Sequence, residues 1–251
     1  MKRKNQDVQK AARNCVASNK DKKEGVLTPE WLRIQTSLKS LLEMIKHQIS
    51  LKYVALDGHF GNYASALMVR QTGLDLISKM RSDAALSLPF EGEHKKRGPN
   101  PKRGAKIDVH AINDKYLKKT TIEDGLRTDI YQGQFLNPEF AFALNVVIVL
   151  KTNWETSAQA HVILFSTDLE LSYEKIIKFY SLRFQIEFNF RDAKQDWGLE
   201  DFMNGKETAV THAANLALFM VNFSFALAKP FRQHNPAFSM RDLKAHYRGY
   251  R

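Results

Sequence analysis

The sequence predicts an α/β fold, and three observations in its first half carry that prediction. The run LKYVAL at 51–56 is rich in strand formers and ends abruptly at Asp57-Gly58. Residues 62–72 have a helical pattern closed by Gly73. A second strand-like run, LDLISKM, follows directly. A strand, a helix and a strand in succession are typical of a sheet covered by helices.

The elements on either side follow the same reasoning. The first 28 residues lack a hydrophobic period and are expected to form a polar, mobile lead-in. A helix should begin at Pro29, since proline suits the first turn. Residues 89–139 break the pattern, and the Gly-, Pro- and cation-rich segment that opens them is predicted to be a loop. The apolar runs 140–150 and 161–166 predict a hairpin.

Two helices are predicted in the last third of the chain. The first should run from an N-cap at Ser172 to about Trp197 and end at Gly198. The second, 208–227, should stop before Pro230, leaving a basic, frayed tail over 231–251. Its apolar stretch contains His212, Asn215 and Asn222, which favours a buried core helix over a membrane span.

Composition limits the functional classes. The single cysteine, Cys15, excludes a disulfide framework and a cysteine-based metal cluster, and the polar N-terminal 25 residues do not resemble a signal peptide. A cytoplasmic location is therefore expected. Lys and Arg total 38 against 27 Asp and Glu, giving a net charge of +11. Such a charge attracts a polyanion, and on charge alone DNA, RNA and an anionic membrane stay open.

The segment YSLRFQIEFNFRDAK carries the most informative pattern. On a helix with about 100° per residue, Tyr180, Arg183, Glu187 and Lys194 fall within roughly 60° of one another, with Arg191 beside them. An ordinary solvated face is the alternative, with ion pairs between residues four apart such as Arg183–Glu187 and Glu187–Arg191.

The pattern Y-x2-R-x3-E-x6-K resembles the signature of the YREK group of insertion-sequence transposases, and STDLELS before it and GLE at 198–200 after it are also similar. The resemblance implies an RNase H-like catalytic core with an Asp-Asp-Glu triad, interrupted here by a β-rich or irregular insertion over about 84–160. It makes Glu187 a metal ligand. It makes Tyr180, Arg183 and Lys194 DNA contacts, and Arg191 lies close enough on the helix to join them.

The chemistry of transposition agrees with these residue types. Cleavage and strand transfer require a hydroxyl to attack phosphorus, and two divalent ions about 3.5–4 Å apart can activate it and neutralise the leaving oxygen. Mg²⁺, or Mn²⁺ in its place, prefers carboxylate oxygens. A glutamate among cations therefore suits a site that binds both metal and phosphate.

Asp57 is the candidate partner of Glu187. It ends a strand, and the resemblance implies that such an aspartate, followed by glycine, is the second carboxylate of the triad and a metal ligand. A simple Asp-Gly turn is the alternative. His59 is close enough in sequence to assist, although a lone histidine is more often a packing residue. Asp168 in STDLELS is the rival ligand; its alternative role is to cap a turn by accepting backbone hydrogen bonds.

The first aspartate of the triad has no credible candidate. Only Asp7 and Asp21 precede Asp57, and both lie in the polar lead-in. We therefore expect residues 29–230 to form an N-terminally incomplete catalytic domain, weakly active or inactive alone.

A cationic loop lies between the two candidate carboxylates. Prolines 99 and 101 favour an extended backbone that could follow phosphates; the alternative is a solubilising loop. The cations are Lys95, Lys96, Arg97, Lys102 and Arg103.

With the resemblance, these observations predict a bacterial transposase that acts on element ends and target DNA, associates with the nucleoid and does not enter a membrane. The resemblance implies that it works as a homodimer on paired ends. Two alternatives stay open: a non-catalytic DNA-binding fragment that inhibits transposition, and an RNase H-like nuclease unrelated to transposition.

Overall fold

A computed structural model describes residues 27–92, 103–203 and 205–249. It divides into two compact units, Met1–Leu182 and Arg183–Arg251. Nearly all of the expected polar lead-in lies outside the described residues. Its last residues do not: Leu27 is buried in the first unit.

The first unit is built on a six-stranded mixed sheet. Its order is β1-β2-β8-β7-β6-β5, with β1 parallel to β2 and every other neighbouring pair antiparallel. β3 and β4 form a separate two-stranded ribbon. The strands are Tyr53–Ala55 (β1), Asp75–Lys79 (β2), Ser87–Pro89 (β3), Arg103–Lys106 (β4), Leu117–Glu123 (β5), Leu126–Phe135 (β6), Leu144–Asn153 (β7) and Gln159–Ser166 (β8). The helices are Pro29–Ile45 (α1), Tyr63–Arg70 (α2) and Tyr173–Ser181 (α3), with short 3₁₀ turns at Gly58–Phe60 and Asp114–Tyr116.

The predicted strand–helix–strand unit is confirmed as β1, α2 and β2. Asn62 caps α2 by accepting a hydrogen bond from the Ser65 amide at 3.0 Å, and Gly73 follows the helix with a φ of +81°. The mixed α/β architecture predicted from the sequence is therefore confirmed.

Helices cover both faces of this sheet. Neighbouring residues of one strand belong to different apolar clusters: Ile148 packs in the cluster that contains Trp31 of α1 and Met68 of α2. Val147 packs in the cluster that contains Ile176 of α3. Because side chains alternate along a strand, α1 and α2 lie on one face and α3 on the other.

The sequence prediction for 89–139 placed a loop at its start and did not place the hairpin that β5 and β6 form in its second half. Asp124 and Gly125 both have positive φ, +48° and +73°, as a two-residue hairpin turn of matching twist requires. The sequence signal was Asp-Gly between alternating residues. The next hairpin was predicted correctly and is formed by β7 and β8.

The single helix predicted over 172–197 is interrupted. α3 ends at Ser181 and α4 begins at Phe184. The Leu182 amide donates to the Phe179 carbonyl and the Ile186 amide to the Arg183 carbonyl. These bonds span three residues, so the chain tightens as in a 3₁₀ helix while its dihedral angles stay right-handed. The two units divide at this point.

The second unit has three helices, Phe184–Trp197 (α4), Glu207–His234 (α5) and Met240–Arg248 (α6). Its buried cluster consists of small side chains, Ala193 of α4 with Ala217 and Val221 of α5. The frayed tail predicted from Arg232 is instead ordered: α5 continues to His234, and α6 begins with a capping box between Ser239 and Asp242.

α5 differs from its prediction in length and burial. It continues through Pro230 instead of stopping before it. Its length and composition alone would permit a membrane crossing, and 17% of its apolar window is buried. Leu216 and Phe219 are more than half exposed. The expectation of a buried core helix is therefore wrong, because α5 buries one stripe of mostly small residues.

Candidate active site and DNA-contact residues

Asp57 lies where β1 ends, with a fixed backbone and an exposed side chain. Its carbonyl accepts a 2.9 Å hydrogen bond from the hydroxyl of Ser78, a fully buried residue of β2. Its carboxylate accepts a 2.7 Å bond from the Gly58 amide, which starts the 3₁₀ turn Gly58–Phe60. The sheet therefore fixes the backbone from which this carboxylate projects into solvent.

Gly61 sets how closely this turn approaches the neighbouring strand. A Cβ atom there would lie 2.1 Å from the Lys79 carbonyl oxygen, so no larger residue fits without a backbone shift. Lys79 ends β2 and lies beside Gly58. Lys79 was not predicted as a site residue. Its position at the end of the second strand-like run could have indicated it, since the carboxyl ends of neighbouring parallel strands lie at the same end of a sheet.

A cavity of about 320 Å³ opens beside Gly61. Charged side chains at its lining are Arg81, Asp83 and Glu139. Arg103 donates to the carbonyl of Pro138, another lining residue, at 3.4 Å. Arg103 is the member of the predicted DNA-binding loop that the structure describes, and it lies near the Asp57 end of the sheet. Lys95, Lys96, Arg97 and Lys102 lie outside the described residues.

His59 is exposed and packs edge-on against Phe60, with ring centroids 5.3 Å apart. Phe60 in turn contacts Trp31 of α1 at 5.9 Å. This geometry agrees with the packing role for His59.

Asp168 lies at the opposite end of the sheet from Asp57. β8 runs antiparallel to β2, and its last residue, Ser166, pairs with Ile77, so the chain leaves β8 towards the start of β2. The start of β2 lies beside Tyr53, the first residue of β1, because these two strands are parallel. The Asp168 side chain is 12% exposed. It accepts bonds of 2.8 Å from Lys52 Nζ, 2.8 Å from the Tyr53 hydroxyl and 3.0 Å from the Glu170 amide.

These contacts shift the pKa values of the cluster. Burial alone would raise the pKa of Asp168, but the hydrogen bonds from Lys52, the Glu170 amide and Tyr53 outweigh it and hold that pKa below its ordinary value. The hydrogen bond to Asp168 raises the pKa of Lys52. Burial raises the pKa of Tyr53. The charged carboxylate is thus held by protein donors, as the turn-capping alternative required.

Three of the four signature residues lie on α4 or its first turn, in the second unit. Glu187 is 59% exposed and pairs with Arg183 through a 2.9 Å contact. Lys194 pairs with Glu200 at 2.5 Å. Arg191 contacts Asp192 at 3.0 Å, so the predicted Arg183–Glu187 ion pair forms and the described partner of Arg191 is Asp192.

Tyr180 belongs to α3 and to the first unit. It is half-buried against the apolar cluster that contains Tyr53 and Phe179. The prediction of one continuous helix through Tyr180 and the other three residues is therefore wrong, because α3 ends at Ser181 and α4 begins at Phe184.

Over the ranges that the structure describes, no group of three or more His, Cys, Asp or Glu side chains is placed to hold a metal ion. The two predicted ligands, Asp57 and Glu187, are carboxylates and suit a hard cation, and each belongs to a different unit.

Asp57 and Lys79 thus lie at the ends of two neighbouring strands, β1 and β2, at one end of the mixed sheet. A family model described as Transposase DDE domain matches residues 35–223, three quarters of the chain. The chain therefore belongs to the DDE-domain transposase family, whose members carry out nuclease and transposition chemistry on DNA and generally use divalent metal ions. None of the curated proteins compared with the chain matches it.

Proposed function

We propose that this chain is an insertion-sequence transposase of the YREK group that cleaves DNA at element ends and joins the strands to a target. Asp57 carries the proposal, since its backbone is anchored to β2 and its side chain is exposed at a sheet edge with Lys79 beside it. Residues 35–223 of the family match include both Asp57 and Glu187.

Asp57 and Glu187 are the residues that would hold Mg²⁺ or Mn²⁺. When bound, such ions would activate the attacking hydroxyl and neutralise the leaving oxygen. The protein's part is to aim the carboxylates and to hold the DNA backbone. Asp57 is aimed by the bond from Ser78 to its carbonyl. Glu187 is oriented by Arg183, whose side chain is only 16% exposed and so is itself restrained.

Tyr180, Arg183, Arg191 and Lys194 are proposed DNA contacts. Arg191 and Lys194 are about half exposed; Glu200, the partner of Lys194, is 65% exposed, and Asp192, the partner of Arg191, is 20% exposed. An exposed ion pair such as Lys194–Glu200 contributes about 0–1 kcal/mol, so a phosphate oxygen can replace its carboxylate at little cost. A pair of chains bound to paired element ends is the assembly that we propose.

The outer edge of β1 is where we propose that a third carboxylate enters. Within the described ranges no strand pairs with that edge, and its residues are Tyr53, Val54 and Ala55. The opposite edge strand, β5, carries Lys118 and Lys119, which discourage pairing. A further strand bearing an aspartate would fit the unguarded edge beside Asp57. Cleavage should be weak when no third carboxylate occupies this edge, and normal plasmid transposition by residues 1–251 alone would contradict the need for a further strand.

Metal binding can be tested without turnover. Fe²⁺ bound in place of Mg²⁺ generates radicals that cut the backbone near its ligands. We expect cuts near Asp57 and near Glu187, each abolished by Glu187→Gln or Asp57→Asn. Glu174→Gln is a matched control, since Glu174 is an exposed acid of α3. Cutting that is unchanged in both site variants would contradict the proposed ligands.

The product distinguishes the alternatives. A transposase joins a labelled 3′ end to target DNA, an unrelated RNase H-like nuclease hydrolyses without joining, and an inhibitory fragment binds DNA and does neither. Joining that requires Glu187 supports the proposal.

A further inference from the structure

The segment between β8 and α3 makes several hydrogen bonds to the sheet. The Thr167 hydroxyl donates to the carboxylate of Asp75 at 2.7 Å, and its amide donates to the Leu76 carbonyl at 3.0 Å. Asp168 follows, with its bonds from Lys52 and Tyr53. The start of α3 is thereby attached to the first residues of both β1 and β2.

Two side-chain amides, buried Asn145 and partly buried Gln132, bind the same segment to the sheet. Asn145 of β7, 1% exposed, donates to the Asp168 carbonyl at 3.0 Å and to the Leu171 carbonyl at 2.8 Å. Gln132 of β6 also donates to Leu171, at 2.8 Å, and accepts from the Tyr173 amide at 3.2 Å. The bond from the Tyr173 amide to Gln132 satisfies a backbone donor at the start of α3, since Ser172 makes no side-chain capping hydrogen bond.

Tyr53 connects the two ends of α3. Its hydroxyl contacts Asp168 before the helix, and its ring lies 5.5 Å from the ring of Phe179 in the last turn. Phe179 is the neighbour of Tyr180. One side chain of β1 therefore touches both ends of the helix that carries the proposed DNA-contact tyrosine.

We propose that Asp168 is a positioning residue: with Lys52 and Tyr53 it fixes α3, and so Tyr180, relative to the strand that ends in Asp57. Its carboxylate accepts from the Tyr53 hydroxyl while the ring of Tyr53 lies against Phe179. We call the contacts of Asp168 with Lys52 and Tyr53 the clamp. The consequence for DNA binding rests on the proposed function, since it requires Tyr180 to contact DNA, whereas the clamp itself does not.

The clamp is tested by amide hydrogen exchange on the full chain. Asp168→Ala should speed exchange over 169–181 by about tenfold or more while β7 stays protected, because the loss is local. The matched control is Asp83→Ala, since Asp83 forms a two-bond pair with Arg81 on one exposed turn and joins no second element. Exchange over 169–181 that matches the Asp83→Ala control would overturn the proposal.

A milder variant keeps the test decisive if Asp168→Ala does not fold. Tyr53→Phe removes only the hydroxyl and keeps the ring against Phe179. It should speed exchange around the helix start by about threefold, in keeping with one lost hydrogen bond. Unchanged exchange in this variant would likewise count against the clamp.

DNA affinity tests the positioning of Tyr180. With a mixed-sequence duplex of about 30 base pairs in EDTA, Tyr180→Phe and Asp168→Ala should each weaken binding, and the double variant should bind no more weakly than the weaker single one. Additive losses would overturn the positioning role. If Tyr180→Phe has no effect, the proposed DNA contact fails while hydrogen exchange still decides the clamp. If Asp168→Ala alters cleavage only through the Mg²⁺ requirement, with affinity in EDTA intact, Asp168 is a metal ligand and the proposal is wrong.

Discussion

The two aspartates that lie near opposite ends of β1, Asp168 and Asp57, differ in burial and in hydrogen bonding. At the amino end, Asp168 is 12% exposed, and its carboxylate accepts from Lys52, Tyr53 and the Glu170 amide. At the carboxyl end, Asp57 is exposed, and the bond from Ser78 anchors its backbone. One sheet thus holds a mostly buried carboxylate bound by side chains of other elements and an exposed carboxylate that accepts from the adjacent Gly58 amide. Substitutions at the two ends should therefore affect different properties.

The largest expected effect is on activity at the carboxyl end. Asp57→Asn should reduce the weak metal-dependent nicking expected of this chain to background, since one metal ligand is lost. The free energy of unfolding should change by less than about 0.5 kcal/mol, because the side chain is exposed. Plasmid nicking and urea unfolding measure the two quantities. Asp83→Asn, at a nearby exposed turn, should change neither, and persistent nicking by Asp57→Asn would remove Asp57 from the site.

Gly61→Ala should give the next largest effect, now on stability. The new Cβ would lie 2.1 Å from the Lys79 carbonyl oxygen, so the turn must move, at a cost of about 1–3 kcal/mol. Gly58→Ala is the matched control in the same turn, since its Cβ would meet that oxygen at an ordinary 3.6 Å. Urea unfolding compares the two variants; equal stabilities would show that the carboxyl end is not held by this close approach.

The sequence predicted the carboxyl end better than the amino end. Asp57 follows an apolar run and precedes a glycine, so a local pattern was sufficient to place it at the end of a strand. Asp168 is defined by partners at positions 52 and 53, and no local pattern reports a contact across 115 residues. Its role could therefore be stated only as a pair of alternatives.

The signature helix shows a second limit. Periodicity places residues on a face only while the helix is continuous, and no proline or glycine marks the interruption at Leu182 and Arg183. Their dihedral angles remain helical and only the hydrogen bonding tightens. The β5–β6 hairpin was missed for a different reason: its Asp-Gly turn was visible, but the surrounding charge concealed the alternation.

The pH dependence of stability tests what the charge of Asp168 contributes to the fold. Because the folded pKa of Asp168 lies below the ordinary 3.8, its charged form stabilises the fold fully above that pH, and this contribution is lost as the pH falls through the folded value. Asp168→Asn should therefore cost about 1 kcal/mol at about pH 7, a small figure because water screens the exposed Lys52.

Urea unfolding of the wild type and Asp168→Asn at about pH 7 and about pH 2 measures this difference. The difference between the two proteins should shrink at the lower pH, because the Asp168 carboxylate is more protonated there. A difference of the same size at both pH values would mean that the hydrogen-bonding shape of the side chain, rather than its charge, stabilises the amino end.

The smallest expected effect is on the salt dependence of DNA binding, measured for one cation near each end of β1. Arg103 contacts Pro138 near the Asp57 edge, whereas Lys52 is paired with Asp168. If DNA binds at the carboxyl end, Arg103→Gln should lower the slope of log affinity against log salt by up to about 0.9, the value for one phosphate contact. Lys52→Gln should leave the slope unchanged even if affinity falls, because a disturbed clamp releases no counterions. A slope change with Lys52→Gln and none with Arg103→Gln would place the DNA at the opposite end of β1.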